Sequence, residues 1–355
     1  MNSSNPKNRS QNKIQSLVED WLDGDQTSNE RRKKRDTIKV SRERFLDPSK
    51  ANATVIEVFP KFCNVRLDHP DARVILCHYK RARLQVSQKE QYKERSPVAV
   101  GDRVLVSLPE KKHGVVLGLC QRSSTLSRPA PGHDHNVVHV IASNIDLMVI
   151  VASVHEPEFS QGLVDRFLIA SQISEIEPIL CVNKVDLMSS EDKKQWEVYS
   201  DLGIKYFEMS VKENVGIDNL KNSIANRHVV FCGHSGVGKT SLLSSLIQQD
   251  VGKVGQVSSH SKKGKHTTTS SKLVFSENDE QWIDTPGVKN FRLIGVTLEN
   301  LSSFFPEMIS LDCQKKGCNH YQQENCQAKE LIRYESYIRI YESIIEEQKL
   351  RRKKR

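Results

Sequence analysis

Residues 233–240 read Gly-His-Ser-Gly-Val-Gly-Lys-Thr and lie between an apolar run at 228–232 and a helix-forming run at 241–247. A G-x-x-x-x-G-K-[ST] run between a strand and a helix leaves the chain few choices. The loop must wrap backbone N–H groups around a phosphate and open onto a helix N-terminus, where the helix dipole favours negative charge. Gly233 and Gly238 allow the turn, while His234, Ser235, Gly236, Val237 and Ser241 line it. Lys239 neutralises β- and γ-phosphate oxygens, and Thr240 ligates Mg²⁺.

Further motifs agree with this cradle, but their order is unusual. Residues 283–287, Ile-Asp-Thr-Pro-Gly, end another strand-like run. Asp284 is expected to hold Mg²⁺ through water, and the Gly287 N–H to meet a γ-phosphate. Between cradle and strand lies a polar switch loop at 264–270, where Thr268 or Thr269 completes the Mg²⁺ shell. The sequence does not choose between the two threonines. Upstream, Asn183, Lys184 and Asp186 follow the strand 178–182. Asp186 can accept from guanine N1 and N2 while Asn183 meets the base from the other side, a pairing that adenine cannot satisfy. Ser210, Val211 and Lys212 form a small loop that backs the base. Base reader, backing loop, cradle, switch loop and D-T-P-G therefore follow one another as in a GTP-binding domain that has been cut and rejoined elsewhere. Such circular permutation is allowed where the old termini lie close together. D-T-P-G then runs straight into the C-terminal segment, so whatever a γ-phosphate moves should pull on that segment.

At 355 residues the chain exceeds one usual domain, and its texture changes along its length. Residues 1–49 are rich in Asn, Ser, Lys and Arg with few aromatics, a composition expected to stay mostly disordered apart from one short helix at 14–22. Residues 50–122 carry five β-prone runs broken by turn residues, at 53–59, 62–67, 72–79, 102–108 and 114–119. That pattern predicts a small all-β barrel: an OB-fold first, with an SH3-like barrel giving much the same signal. Residues 123–136, dense in Ser, Pro, Gly and His, read as a linker. Over 137–303 apolar runs alternate with amphipathic segments, as in a parallel sheet covered by helices. In 304–355, Leu331, Tyr334, Ile338, Tyr341 and Ile345 recur at helical spacing ahead of a basic tail.

Lys and Arg number 53 against 44 Asp and Glu, a formal charge of +9, and Arg-Arg-Lys-Lys-Arg occurs at both 31–35 and 351–355. Such an excess favours an anionic partner such as nucleic acid, with Lys61, Arg66, Lys80, Arg81 and Arg83 as candidate contacts on the barrel. The most apolar span, 137–154, carries His139, Asn144 and Asp146, so no membrane helix is expected. The polar N-terminus lacks a secretory signal, which points to the cytoplasm.

Of eight cysteines, Cys63, Cys77, Cys120, Cys181 and Cys232 are scattered and read as small buried hydrophobes. The other three stand with a histidine as C-x₄-C-x-H-x₅-C. Cys313, Cys318, His320 and Cys326 make a closed Cys₃His set for one structural Zn²⁺, expected to hold a segment too short to fold alone.

These motifs make the chain resemble the RsgA/YjeQ family over roughly residues 51–347. The resemblance is carried by LSRP, SNIDLMVIV, DRFLIA, EPILCVNKVDL, GHSGVGKTSLL, HTTT, DTPG and the cysteine cluster. It implies an N-terminal OB-fold, a permuted GTPase domain and a C-terminal zinc domain. It also implies action in late maturation of the small ribosomal subunit, whose rRNA is bound and which stimulates hydrolysis of GTP to GDP and phosphate. Thr240 replaces the commoner serine and keeps the hydroxyl ligand; Gln323 stands where Glu is usual between zinc ligands. The basic N-terminus lies outside the resemblance, and the chain is expected to act as a monomer.

Many GTPases orient the attacking water with a glutamine after D-x-x-G, but Val288 stands here and can neither accept from nor donate to water. Unassisted turnover should be slow, a supplied group being worth about 10³–10⁵ in rate. His266, just ahead of the threonines, is the candidate to position that water. Two competing readings are a non-catalytic GTP-bound RNA-binding scaffold and a permuted GTPase acting on the large subunit. Intact Lys239, Thr240 and Asp284 argue against the first. The barrel and the cysteine cluster argue against the second.

Overall fold

A computed structural model of the protein describes residues 45–80, 84, 92–108, 113–130, 137–248, 271–276, 278–287, 291–313 and 318–353. The helix expected at 14–22, together with Arg81 and Arg83, lies outside the described residues. The chain divides into two compact units, residues 1–89 with 102–121, and residues 90–101 with 122–355.

In the first unit β1 (Ala53–Val58), β2 (Phe62–Leu67) and β3 (Val74–His78) pair antiparallel in sequence. The chain then gives β4 (Lys93–Glu94) to the second unit before β5 (Arg103–Ser107) and β6 (His113–Leu119) complete a closed barrel of order β1-β2-β3-β6-β5. All five expected runs become its strands, and the barrel is OB-like. Alternation does the work: Cys63, Val65 and Leu67 of β2 point into the core while Asn64 and Arg66 point out. Leu46 already belongs here, its N–H donating to the Leu119 carbonyl at 2.9 Å.

Two small strands of the second unit depart from expectation. β7 (Thr125–Pro129) lies inside the segment read as a linker and pairs antiparallel with β8 (Val137–Ser143), while β4 adds to the other side of β8 in parallel. Ser and Asn look like linker residues because their side chains replace backbone partners, and they do that here. The Ser124 hydroxyl donates to the Ile145 carbonyl and accepts from its N–H, both at 2.7 Å, and Asn144 donates to the Gly101 carbonyl at 2.9 Å.

The main sheet has six strands in the order β11-β10-β9-β12-β14-β13. β9 (Leu147–Ser153), β10 (Glu177–Asn183), β11 (Lys205–Glu208), β12 (Val229–Gly233) and β14 (Gln281–Asp284) are mutually parallel, and β13 (Lys272–Phe275) closes one edge antiparallel. β9 and β12 are buried at every residue, as central strands covered on both faces must be. Among the described residues the α-helices of the second unit are α1 (Gln161–Ile173), α2 (Lys194–Asp201), α3 (Ile217–Ile224), α4 (Lys239–Ile247), α5 (Pro306–Ile309) and α6 (Tyr334–Lys353). No helix among the described residues is long and apolar enough to cross a membrane.

The boundary expected between 303 and 304 falls inside continuous packing. Ile169 of α1 shares one core with Leu301, Phe305, Met308, Tyr337 and Ile340. A segment this short buries too little by itself, so it borrows the wall of the sheet domain. The buried face of α6 is centred on Tyr337, Ile340 and Tyr341, with Tyr334, Ile338 and Ile345 at its margins and Leu331 ahead of the helix. All five scattered cysteines are buried.

Candidate nucleotide site and metal cluster

The cradle loop connects β12 to α4, so its N–H groups gather at the helix N-terminus and at the carboxyl end of the parallel strands, where open α/β sheets bind ligands. Glycine is required at two contacts. Gly238 sits at φ 96°, and a Cβ there would come within 2.5 Å of Asn183 Nδ2. A Cβ at Gly287 would come within 2.6 Å of Ser235 Cα, so the D-T-P-G turn lies directly on the loop.

Lys239 is only 6% exposed, and its ammonium donates to the carbonyls of Gly233 at 3.1 Å and His234 at 2.9 Å. Burial pushes its pKa down against the pull of the Asp284 charge. A buried cation solvated by neutral carbonyls is the complement of a phosphate oxygen. The Thr240 hydroxyl donates to Asp284 Oδ2 at 3.1 Å, which brings together two hard oxygen donors suited to Mg²⁺. Thr285, not anticipated from the sequence, fixes the turn that carries Asp284 by donating to the Phe231 carbonyl at 2.7 Å.

Asn183 ends β10 and clasps two loops at once. Its Nδ2 donates to the Val237 carbonyl at 2.8 Å, and its Oδ1 accepts from the Val211 N–H at 3.1 Å. Asp186 accepts from the Ser210 hydroxyl at 2.6 Å and lies 3.7 Å from the Lys212 ammonium. The Ser210 hydrogen bond above all, with Lys212 adding, holds the carboxyl below the usual range, hence ionised. Lys184 adopts a left-handed conformation at φ 64° and donates to the Glu156 carbonyl. That partner loop, 154–160, escaped the sequence reading. Its signal was a Glu-Pro-Glu turn directly after β9 at the ligand-binding edge of the sheet.

The structure thus joins base reader, backing loop, cradle and D-T-P-G. His234 turns back on its own loop, its Nδ1 2.6 Å from the Ser235 carbonyl oxygen. His266, Thr268, Thr269 and Val288 lie outside the described residues.

Cys313, Cys318, His320 and Cys326 also meet, with all four ligand atoms within 4.8 Å of one another. Cys318 and Cys326 sulfurs stand 3.9 Å apart, and His320 Nδ1 lies 3.6 Å from Cys313 Sγ and 3.3 Å from Cys326 Sγ. A tetrahedron with Zn–S bonds of about 2.3 Å has edges of about 3.7 Å, so the set fits Zn²⁺. Tyr334 and Tyr337 of α6 secure the loop by donating to the His320 and Asn319 carbonyls at 3.0 and 2.5 Å. Burial first, and crowding by the other thiols second, pushes the Cys313 thiol up to about 11. A cation reverses that. Freshly purified protein is expected to carry about one zinc per chain, and a strong chelator to lower the Tm and expose three titratable thiols. Less than half an equivalent of zinc would refute the assignment.

A cradle, a D-T-P-G turn seated on it and a base reader that precedes both define a circularly permuted P-loop GTPase, flanked by an OB-like barrel and a Cys₃His cluster. A model of the RsgA GTPase family matches residues 119–294. Small ribosomal subunit biogenesis GTPase RsgA of Flavobacterium psychrophilum is 33% identical over 70% of this chain and 82% of its own length. The protein of that name numbered RsgA 2 in Bacteroides thetaiotaomicron is 31% identical over 70% and 84%. The chain belongs to the RsgA GTPase family, and so is a GTP hydrolase. Among solved structures, YjeQ from Thermotoga maritima aligns with a TM-score of 0.60 at 26% identity, covering 83% of this chain and 98% of that one. YloQ, described as a circularly permuted GTPase, shares the fold at a TM-score of 0.56 and 23% identity, covering 84% and 96%.

Proposed function

We propose that this chain is a ribosome biogenesis GTPase that binds the small ribosomal subunit and acts in its late maturation, with hydrolysis stimulated by the subunit. The Asn183 clasp carries the reading. One side chain holds the base-reading strand to the cradle and to the backing loop, as a site reading guanine and phosphate together requires. Relatives named as small ribosomal subunit biogenesis GTPases support the choice of particle.

In this reading Asn183, Lys184, Asp186, Ser210, Val211 and Lys212 hold the base. The loop 233–238 with Lys239, Thr240 and Ser241 holds the phosphates, and Gly287 meets the γ-phosphate. Thr240 and Asp284 hold Mg²⁺, joined by Thr268 or Thr269 when the switch loop closes, and His266 positions the water. The scaffold reading is less favoured because Lys239, Thr240 and Asp284 stand assembled.

Hydrolysis is measured with the protein alone and with isolated small subunits, large subunits and assembled ribosomes, taking Lys239→Ala as background. Small subunits alone are expected to raise turnover by orders of magnitude, within the range of about 10³–10⁵ known for supplied groups. Bound GTP with no stimulation by any particle would overturn subunit-stimulated hydrolysis, and turnover no higher than that of Lys239→Ala would favour the scaffold.

A further inference from the structure

The three-stranded sheet β4-β8-β7 carries a row of basic groups that no acid neutralises among the described residues. Arg128 on β7 is the direct cross-strand partner of His139 on β8. Partners in register share one face, with Cα atoms about 5 Å apart. On the other side of β8, Arg95 follows β4 and donates its backbone N–H to the Val138 carbonyl at 2.7 Å. His139 therefore sits between two guanidinium groups. The neighbouring acid, Glu94, is bound to Arg122 at 2.8 Å.

Electrostatics register the crowding. Burial first, then the charges of Arg128 and Arg95, hold the His139 imidazole down to about 4, so it stays neutral at pH 7. Burial and the charge of Arg95 likewise lower Arg128. The His139 Nδ1 atom is buried without a hydrogen-bond partner. Two like charges beside an unsatisfied ring nitrogen are unfavourable until an anion joins them, and guanidinium forks match phosphate geometry.

We propose that Arg95, Arg128 and His139 form a phosphate-binding site that takes the phosphodiester backbone of RNA. The row is open, with Arg95 exposed and Arg128 half-buried. Its two arginines flank a whole strand, about 10 Å apart by strand spacing, which suits a chain of phosphates better than one caged ion. RNA as the source rests on the ribosomal reading above.

Two measurements test the site. First, Arg95→Gln/Arg128→Gln is compared with wild type for small-subunit affinity across salt concentrations. The double variant is expected to bind at least tenfold more weakly at low salt, its log–log salt slope shallower by about 1–2 for one or two lost phosphate contacts. GTP affinity and subunit-free hydrolysis should not change. Second, the His139 ring is followed by NMR in the wild-type protein with a short single-stranded RNA, and separately with inorganic phosphate. RNA should raise the His139 pKa, because it neutralises the flanking arginines.

An equal response to inorganic phosphate, with subunit affinity and slope unchanged in the variant, would overturn the RNA assignment in favour of a free-phosphate site. No response to either probe would overturn the site itself, and this holds even if the variant fails to fold. If wild-type protein ignores small subunits while His139 responds to RNA, the ribosomal reading fails and the phosphodiester site stands.

Discussion

Asp186→Asn is expected to weaken GTP binding by two to four orders of magnitude and to raise affinity for xanthosine triphosphate. The carboxylate is ionised and offers two acceptors to the N1 and N2 donors of guanine, and each hydrogen bond to a charged group is worth about ten- to a hundredfold in affinity. An amide keeps one acceptor and turns an N–H toward the guanine amine. Xanthine carries a carbonyl at that position, so the same amide suits it. The fold should not notice the change: the Ser210 hydroxyl can still donate to the amide oxygen, and the exposed Lys212 pair adds little. Titration with both nucleotides, beside a thermal melt, reads the result. A loss of GTP affinity below tenfold would show that Asp186 does not read the base.

Local patterns made the barrel strands and nucleotide motifs legible. The alternation in β2 and the unbroken apolar runs of β9 and β12 each declare which faces are covered. What stayed hidden depends on distant partners. Lys93–Glu94 is a polar dipeptide that becomes a strand only because Val137 and Val138 offer it an edge. Thr125–Pro129 reads as a linker until β8 pairs with it. The glycine at 238 was legible as a turn residue, yet its closest constraint is the Asn183 amide brought in from another loop. For the Cys₃His cluster, spacing within one short segment was enough to predict that the four side chains meet, because they need no distant partner.

The most distant dependence lies in a buried ion network. Arg333 and Asp165 are 2% and 0% exposed, with Nε 2.9 Å from Oδ1. Arg333 Nη1 also reaches Glu307 Oε1 at 3.0 Å, its guanidinium stacks 4.5 Å from the Phe305 ring, and the Tyr199 hydroxyl donates to Asp165 Oδ1 at 3.0 Å. One arginine thus ties α1 and α2 of the sheet domain to α5 and the start of α6. The same helix α1 grips the chain just beyond D-T-P-G. Arg166 donates to the Phe291 carbonyl at 3.3 Å and to Ser343 Oγ of α6 at 2.8 Å, and the Phe167 and Phe291 rings lie 4.9 Å apart. Three residues separate Gly287 from Phe291, which α1 holds, and Arg333 ties α1 to the segment that carries the Cys₃His cluster.

Arg333→Ala leaves the Asp165 carboxylate buried and uncompensated, so it is expected to cost about 3–5 kcal/mol. For a unit of this size that lowers the Tm by about 6–20 °C. Combining Arg333→Met with Asp165→Asn should cost less than the two singles summed, by about 0.5–3 kcal/mol, since the fully buried position 165 then carries no unpaired charge and only the partly exposed Glu307 loses its partner. Thermal melts of the four proteins close the cycle. Strict additivity, or a loss under about 1 kcal/mol for Arg333→Ala, would reduce the network to ordinary packing. A strong coupling would instead mark α1 as the rigid member through which the nucleotide loops and the Cys₃His segment are held in one arrangement.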